Sequence, residues 1–248
     1  PYPPLDTLYM KNMMSMAAKK ACHIYADSHY TRNDALRIFG IEPSKISVAY
    51  QDCSPIFTPV VDNTKRADIR FRYHLPTNFI FCPVSLSPRK NLLRTLNAFA
   101  LVKNKISQDL VITGGQIWNS KDILNRIGQE FSQRIHILGK VNEEDMPGLY
   151  SLADFTIYPS LLEGFGMPVL EAFRCDCPVL TSNVTSIPEV AGDAAYLVNP
   201  YDVNEIAAGM IDLASNTKLR QSLISKGQKQ AQKFSWEKTA RVILDILE

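Results

Sequence analysis

The sequence holds no uninterrupted apolar stretch near the ~18 residues that a membrane-spanning helix needs. It also lacks any run of Lys and Arg: 27 basic and 25 acidic side chains are interspersed, for a net charge of +2. A basic face of the kind that grips a nucleic-acid backbone is thereby excluded. The five cysteines are odd in number and include no C-x-x-C pair. That argues against a disulfide framework or zinc site, and for buried reduced thiols in a reducing, cytoplasmic setting. The four histidines (His23, His29, His74, His136) have no metal-ligand spacing. Pro1-Tyr2-Pro3-Pro4 offers neither a start methionine nor the charged n-region of a signal peptide. The chain therefore reads as the back part of something longer.

Familiar nucleotide and nucleophile signatures are missing as well. Gly164 and Gly166 are followed by Val169 where a G-x-G-x-x-G would place its third glycine. Gly139-Lys140 is followed by Val141, so no G-x-x-x-x-G-K-[ST] exists, and there is no G-x-S-x-G. Nicotinamide-dehydrogenase, P-loop and hydrolase readings lose their main support.

What remains is ordinary globular material, 248 residues with 46% hydrophobic and 21% charged. Residues 1–59 pair a helical pattern over Leu5–Cys22 with short apolar strands at His23–Ala26 and Ile46–Ala49. Ser28 or Thr31 caps a helix ending near Gly40, and a linker runs through Pro55 and Pro59. Asp62–Arg72 is a solvated helix or loop. From Asn78 onward apolar runs recur at Phe79–Val84, Leu110–Thr113, Ile135–Leu138, Phe155–Tyr158, Val179–Thr181 and Ala195–Val198. Runs without polar alternation predict strands covered by helices on both faces. Between them Leu92, Leu96 and Phe99 keep helical spacing behind an N-cap at Asn91. Ile206, Met210 and Leu213, then Trp236, Ala240, Ile243 and Leu247, do the same. The alternation predicts an α/β doubly wound parallel sheet over residues 60–248, with ligands beyond the carboxyl ends of its strands.

The loops at those ends carry the chemistry. The richest runs from Pro159 to Met167 and enters a helix with Pro168 at its first position, where a missing N–H costs nothing. Gly164 and Gly166 leave the backbone unshielded, so amides can approach an anion. Glu163 before the helix and Glu171 at the end of its first turn border the same concavity. The arrangement suits a ligand with a diphosphate and vicinal hydroxyls, or, read plainly, Glu171 is a first-turn acid favoured by the helix dipole and Glu163 a surface loop residue. Lys90 at the first strand end is placed to neutralise phosphate, with Arg89 a second cation or a structural partner, or the pair is simply a solvated one. Gly114-Gly115 permits a tight turn near a ligand, or is simply a turn. Gly139-Lys140-Val141 is the least informative of these ends.

At these residues the sequence resembles the retaining glycosyltransferases built from two Rossmann-like halves (the GT-B fold), in their family-4 branch. The resemblance rests on Ser87-Pro88-Arg89-Lys90-Asn91, Gly139-Lys140-Val141, Ala153-Asp154, Pro159-Ser160, the run from Glu163 to Ala172, Cys177-Pro178-Val179, Ile187-Pro188-Glu189-Val190 and Phe234-Ser235-Trp236. Glu163 to Glu171 reproduces the family's E-x7-E motif. Asp27-Ser28 and Lys45-Ile46 resemble the end of the family's first domain. The resemblance implies a nucleotide-sugar-binding half over 60–248, preceded by the tail of an otherwise missing acceptor domain. It implies that Lys90 contacts the donor diphosphate and that amides of Gly164, Phe165, Gly166 and Met167 hold sugar and phosphate. By the same resemblance Glu163 contacts the transferred sugar, Glu171 the ribose, and Gly139–Val141 the base, with no metal or cofactor beyond a GDP- or UDP-linked sugar. It further implies a hexosyltransferase, mannosyltransferase-like, of surface-polysaccharide synthesis, acting on a glycan or lipid-linked acceptor, with peripheral contact at the inner face of a membrane.

Two departures from the family pattern stand out. Val84 and Ser85, after Pro83, replace a glycine and the residue following it, and Asp176 replaces a glycine after the helix from Pro168. An epimerase or phosphorylase on the same fold, a non-catalytic nucleotide-binding module and a purely structural domain are the alternatives left open.

Overall fold

In a computed structural model, residues 4–84, 87–114, 125, 127, 129–131 and 133–247 are described. Ser85 and Gly115, both singled out above, lie outside these. The chain divides into two compact units, Pro1–Gln51 with Phe234–Glu248, and Asp52–Lys233. The expected division near residue 59 put the last helix with the parallel sheet, and the structure groups it with the N-terminal segment instead. The reason is local bonding: Tyr25 Oη donates to the Ile243 carbonyl at 3.2 Å, and the Thr239 hydroxyl donates to the Tyr50 carbonyl.

The first unit holds α1 (Pro4–Lys20), α2 (His29–Phe39), α10 (Trp236–Leu247) and two parallel strands, β1 (Ile24–Ala26) and β2 (Ile46–Val48). Ser28 is the cap of α2, accepting from the Thr31 amide at 3.0 Å, and Gly40 ends that helix at φ 61°.

The second unit opens with α3 (Asn63–Arg72), capped by Asp62. A six-stranded sheet follows: β3 (Phe79–Pro83), β4 (Asp109–Thr113), β5 (Ile135–Gly139), β6 (Phe155–Tyr158), β7 (Val179–Ser182) and β8 (Tyr196–Val198). Its order is β5-β4-β3-β6-β7-β8, and every pairing is parallel. The winding thus starts at β3, runs outward, then returns to β6 and runs the other way. Right-handed crossovers in opposite directions place helices on opposite faces. On one face α4 (Leu92–Val102) packs against α8 (Val203–Ser215). The other layer holds α5 (Met146–Leu152), α6 (Met167–Arg174) and α9 (Thr217–Ala231), with the short α7 (Ile187–Ala191) beside α6.

The apolar runs are where two-sided burial demands them. Phe79, Ile80, Phe81 and Cys82 of β3, and Phe155 and Ile157 of β6, have no exposed surface. Each such aromatic or branched side chain contributes roughly 1.5–3 kcal/mol by leaving water. The edge strand β5 departs from this, with Ile137 42% exposed, and among the described residues only β4 pairs with it.

Candidate functional site

Neighbouring strands β3 and β6 are wound in opposite directions, so the loops leaving their carboxyl ends diverge and open a crevice. The β3 loop carries a 3-10 turn, Pro88–Lys90, followed by Asn91 at φ 62°. The β6 loop runs from Pro159 to Gly166. The Leu161 amide and the Ser160 hydroxyl reach the Arg89 carbonyl at 2.8 and 3.0 Å. Asn91 does more. It stands at the N-cap position of α4 but makes no side-chain cap. Its left-handed backbone turns the amide away, and Nδ2 donates to the Pro159 and Pro200 carbonyls at 2.9 and 2.7 Å. Asn91 is 3% exposed, so both bonds are made in a buried setting where an unpaired carbonyl would be costly. The expected cap is therefore a clamp joining the loops after β3, β6 and β8.

That clamp brings Lys90 onto Glu163. Lys90 Nζ lies 2.8 Å from Glu163 Oε1, and Arg89 Nη1 lies 2.9 Å from Oε2. Oε1 also accepts from Tyr158 Oη at 2.8 Å and stands beside the Ser160 hydroxyl. Lys90 donates to the same Tyr158 oxygen and sits 4.7 Å above its ring centroid. Burial pushes the Glu163 carboxyl up, but hydrogen bonds from Lys90, Ser160 and Tyr158 outweigh it, and the net shift is downward. For Lys90 burial wins over its bond to Glu163, and its ammonium is held below the ordinary range. Arg89, half exposed, is a partner of the outer Glu163 oxygen.

Glu171 lies on α6, facing a cleft of about 220 Å³ that it lines together with Val84, Gly114, Lys140, Val141 and Pro168. Burial, reinforced by the charge of Glu143, drives its carboxyl upward against one hydrogen bond, from Tyr150 Oη to Oε2 at 2.7 Å. The Gly114 amide donates to the Gly139 carbonyl at 2.9 Å, and their φ values of 137° and 68° let the two strand ends turn together. Gly114, Lys140, Val141 and Glu171 thus line one cleft, and Gly139 is bonded to Gly114.

The start of α6 differs from expectation. The helix begins at Met167, not Pro168. Gly166 precedes it at φ 110°, and a Cβ there would meet Ile187 Cδ1 at 2.6 Å. Pro168 has no N–H, and the Val169 amide donates to the Gly166 carbonyl at 2.9 Å. Neither of these two positions therefore offers a free amide at the start of the helix. Gly164 is exposed, Phe165 is buried at 3%, and Ser186 Oγ lies 3.0 Å from the Glu163 and Phe165 carbonyls, fixing the loop's path.

Three participants escaped the sequence reading: Tyr158, Tyr150 and the clamp role of Asn91. Tyr158 ends an apolar strand and so passes for core. Its signal was position, a hydroxyl at a strand's carboxyl end just before the loop that carries Glu163. The two histidines on short polar contacts are structural, His136 to Asp109 at 2.8 Å and His23 to Ser47 at 3.0 Å. Of the cysteines, Cys53, Cys82, Cys175 and Cys177 are buried and Cys22 is exposed. Among the described residues no helix is long and apolar enough to cross a membrane.

A doubly wound parallel sheet with a Lys–Glu pair at its switch point, beside a cleft that ends in a second carboxylate, defines an α/β domain of the Rossmann-like class. The chain belongs to the glycosyl transferases group 1 family, whose sequence model matches residues 65–230. It is 32% identical over 242 residues to O-antigen chain mannosyltransferase B of Escherichia coli, a match covering 95% of this chain and 63% of that protein. It is 30% identical over 182 residues to the serotype-specific mannosyltransferase WbdA of Escherichia coli, covering 71% of this chain and 22% of that one. The chain thus spans less than two thirds of the length of these relatives. Among solved structures, Anabaena Alr3699/HepE in complex with UDP and glucose superposes with a TM-score of 0.82 at 19% identity, over 96% of this chain and 66% of that one. The expected GT-B type of fold is thereby established.

Proposed function

We propose that this chain is the donor-binding half of a retaining hexosyltransferase, mannosyltransferase-like, that moves a sugar from a GDP- or UDP-linked donor to a glycan or lipid-linked saccharide of the cell envelope. One observation carries the reading: Lys90 and Glu163, from loops on either side of the switch point, meet at 2.8 Å where a diphosphate–sugar junction would lie. The named relatives are mannosyltransferases, one of them of the O-antigen chain, and a structural neighbour was crystallised with UDP and glucose, which supports the same donor class.

In this reading the ribose lies against Glu171, the base toward Gly139, Lys140 and Val141, and the diphosphate between Lys90 and the amides of Gly164 to Met167. Arg89 supplies a second positive charge. The bond from the anomeric carbon to the diphosphate oxygen breaks, and the electron pair leaves with the diphosphate. The acceptor oxygen bonds to the carbon from the same face, and its proton passes to the departing phosphate oxygen. Fixed charges and amides stabilise the negative charge that develops there, without a metal or further cofactor. In this reading an acceptor-binding domain completes the enzyme, which works in the cytoplasm at the inner face of a membrane.

Lys90→Ala or Glu163→Ala in the full-length enzyme is expected to lower turnover by ~10²-fold or more, the effect of losing one charge-stabilising group. Measurement is by release of nucleoside diphosphate together with product identification. Turnover near wild type in either variant would overturn the proposal. Epimerised sugar or sugar phosphate as product would instead favour the epimerase or phosphorylase.

A further inference from the structure

Each carboxylate of the Glu163/Glu171 pair is held by a wholly buried tyrosine that no motif announces. We infer that Tyr158 and Tyr150 are positioning residues, Tyr158 setting the arm that meets the transferred sugar and Tyr150 the arm that meets the nucleoside. The inference rests on the donor-binding reading above and divides it between two hydroxyls.

Tyr158 stands at the end of β6, without exposed surface, in register with Thr181 of β7. Its backbone is fixed: its carbonyl accepts from Thr181 Oγ1 at 2.7 Å and from the Ser160 amide at 2.9 Å. Its phenol oxygen accepts a hydrogen bond from Lys90 and donates one to Glu163 Oε1 at 2.8 Å, so it touches both charges of the pair. With Lys90, Tyr158 and Ser160 all directed at Oε1, the inner oxygen is saturated, and Oε2, covered by half-exposed Arg89, is the oxygen left for a sugar hydroxyl. Burial drives the Tyr158 phenol far above its ordinary range, so its proton stays in place.

Tyr150 is the counterpart. It lies on α5, fully buried, with its ring edge-on to Phe81 at 4.9 Å and to Phe57 at 6.1 Å. Its hydroxyl occupies Glu171 Oε2 at 2.7 Å and leaves Oε1 toward the cleft lined by Gly114, Lys140 and Val141. A planar carboxylate with one oxygen tied down presents the other in one direction, as paired ribose hydroxyls require.

The test uses Tyr158→Phe and Tyr150→Phe in this chain, variants that keep the buried rings. Carboxyl 13C NMR of glutamate-labelled protein should show the Glu163 midpoint rising in the first and the Glu171 midpoint rising in the second, because each charged form has lost a donor. Titration with GDP and GDP-mannose, and with UDP and UDP-glucose, then separates the arms. Tyr158→Phe should weaken the nucleotide sugar about tenfold more than the nucleoside diphosphate. Tyr150→Phe should weaken both by about the same factor. Midpoints that stay put, or affinities and ratios equal to wild type, overturn the inference. If the unmutated chain binds none of the four probes, the donor-binding reading fails, and the NMR midpoints alone still decide whether the tyrosines hold the carboxylates.

Discussion

Glu163 and Glu171 belong to one loop-and-helix segment, yet their surroundings move their protons in opposite directions. Glu163 is buried among donors and its pKa falls. A depressed carboxylate contributes stability that is present above its unfolded pKa and lost as pH falls through the folded value. Glu171 is buried with a single donor and the like charge of Glu143, and its pKa rises. Its contribution is therefore fully present below the unfolded pKa and is lost as pH rises through the folded value. When ionised, Glu171 places at the cleft a charge that burial and Glu143 disfavour. Glu171→Gln removes that charge and keeps an acceptor for Tyr150. The variant is expected to melt about 1–3 °C higher than wild type at pH 7, with the gain vanishing below about pH 4. Melting curves at both pH values decide, and a lower melting temperature at pH 7 would show that Glu171 is structural.

At the scale of elements, loops are tied by single residues in unusual backbone conformations. Asn91 at φ 62° joins the loops after β3, β6 and β8 through two buried hydrogen bonds. Asn91→Gly keeps the conformation and loses both bonds, for a cost of about 2 kcal/mol, while Asn91→Ala adds backbone strain of about 1 kcal/mol more. Urea unfolding should rank wild type, Gly and Ala in that order, and an Ala variant as stable as the Gly variant would remove the strain argument. Asp176 is the opposite case. It closes α6 at φ 55°, with the Cys177 amide donating back to the Ala172 carbonyl at 2.9 Å. Its side chain gains only an exposed bond from Gln228 at 2.8 Å. Asp176→Gly is expected to stabilise the chain by about 0.5–1 kcal/mol in the same assay. A loss would mean that the Gln228 bond outweighs the relief of strain. The departure noted at Asp176 is thus accommodated by the backbone without altering the helix end. These elements also show what could be read in advance. The inner strands β3, β4, β6 and β7 were legible because two-sided burial leaves continuous apolar runs. Lys90, Glu163 and Glu171 were legible because each sits beside a strand end or helix start. Asn91 was misread because the sequence pattern for a cap is the same whether the amide caps or turns away. Tyr158 and Tyr150 were invisible because a buried phenol and a buried phenyl leave the same hydrophobic trace.

At the scale of the whole molecule, all residues proposed to meet the donor lie within Asp52–Lys233, and the other unit is formed by the chain's two ends. The pairing of those ends was not legible, since the amphipathic Trp236–Leu247 pattern says that a face is buried but not against what. A nucleotide that binds the native sheet unit and not its unfolded form stabilises that unit by about 2.7 kcal/mol at a hundredfold excess over its Kd. For a unit of this size that corresponds to an upward shift of about 5–10 °C. Scanning calorimetry of the full chain with UDP, GDP or ADP should therefore move the transition of the sheet unit, and only in the presence of the nucleotide whose base fits beside Gly139, Lys140 and Val141. Lys90→Ala should diminish the shift, because the diphosphate then loses its buried cation while the sheet keeps its core. A transition unmoved by every nucleotide would point to a structural domain. A shift undiminished in Lys90→Ala would place the diphosphate away from the switch point.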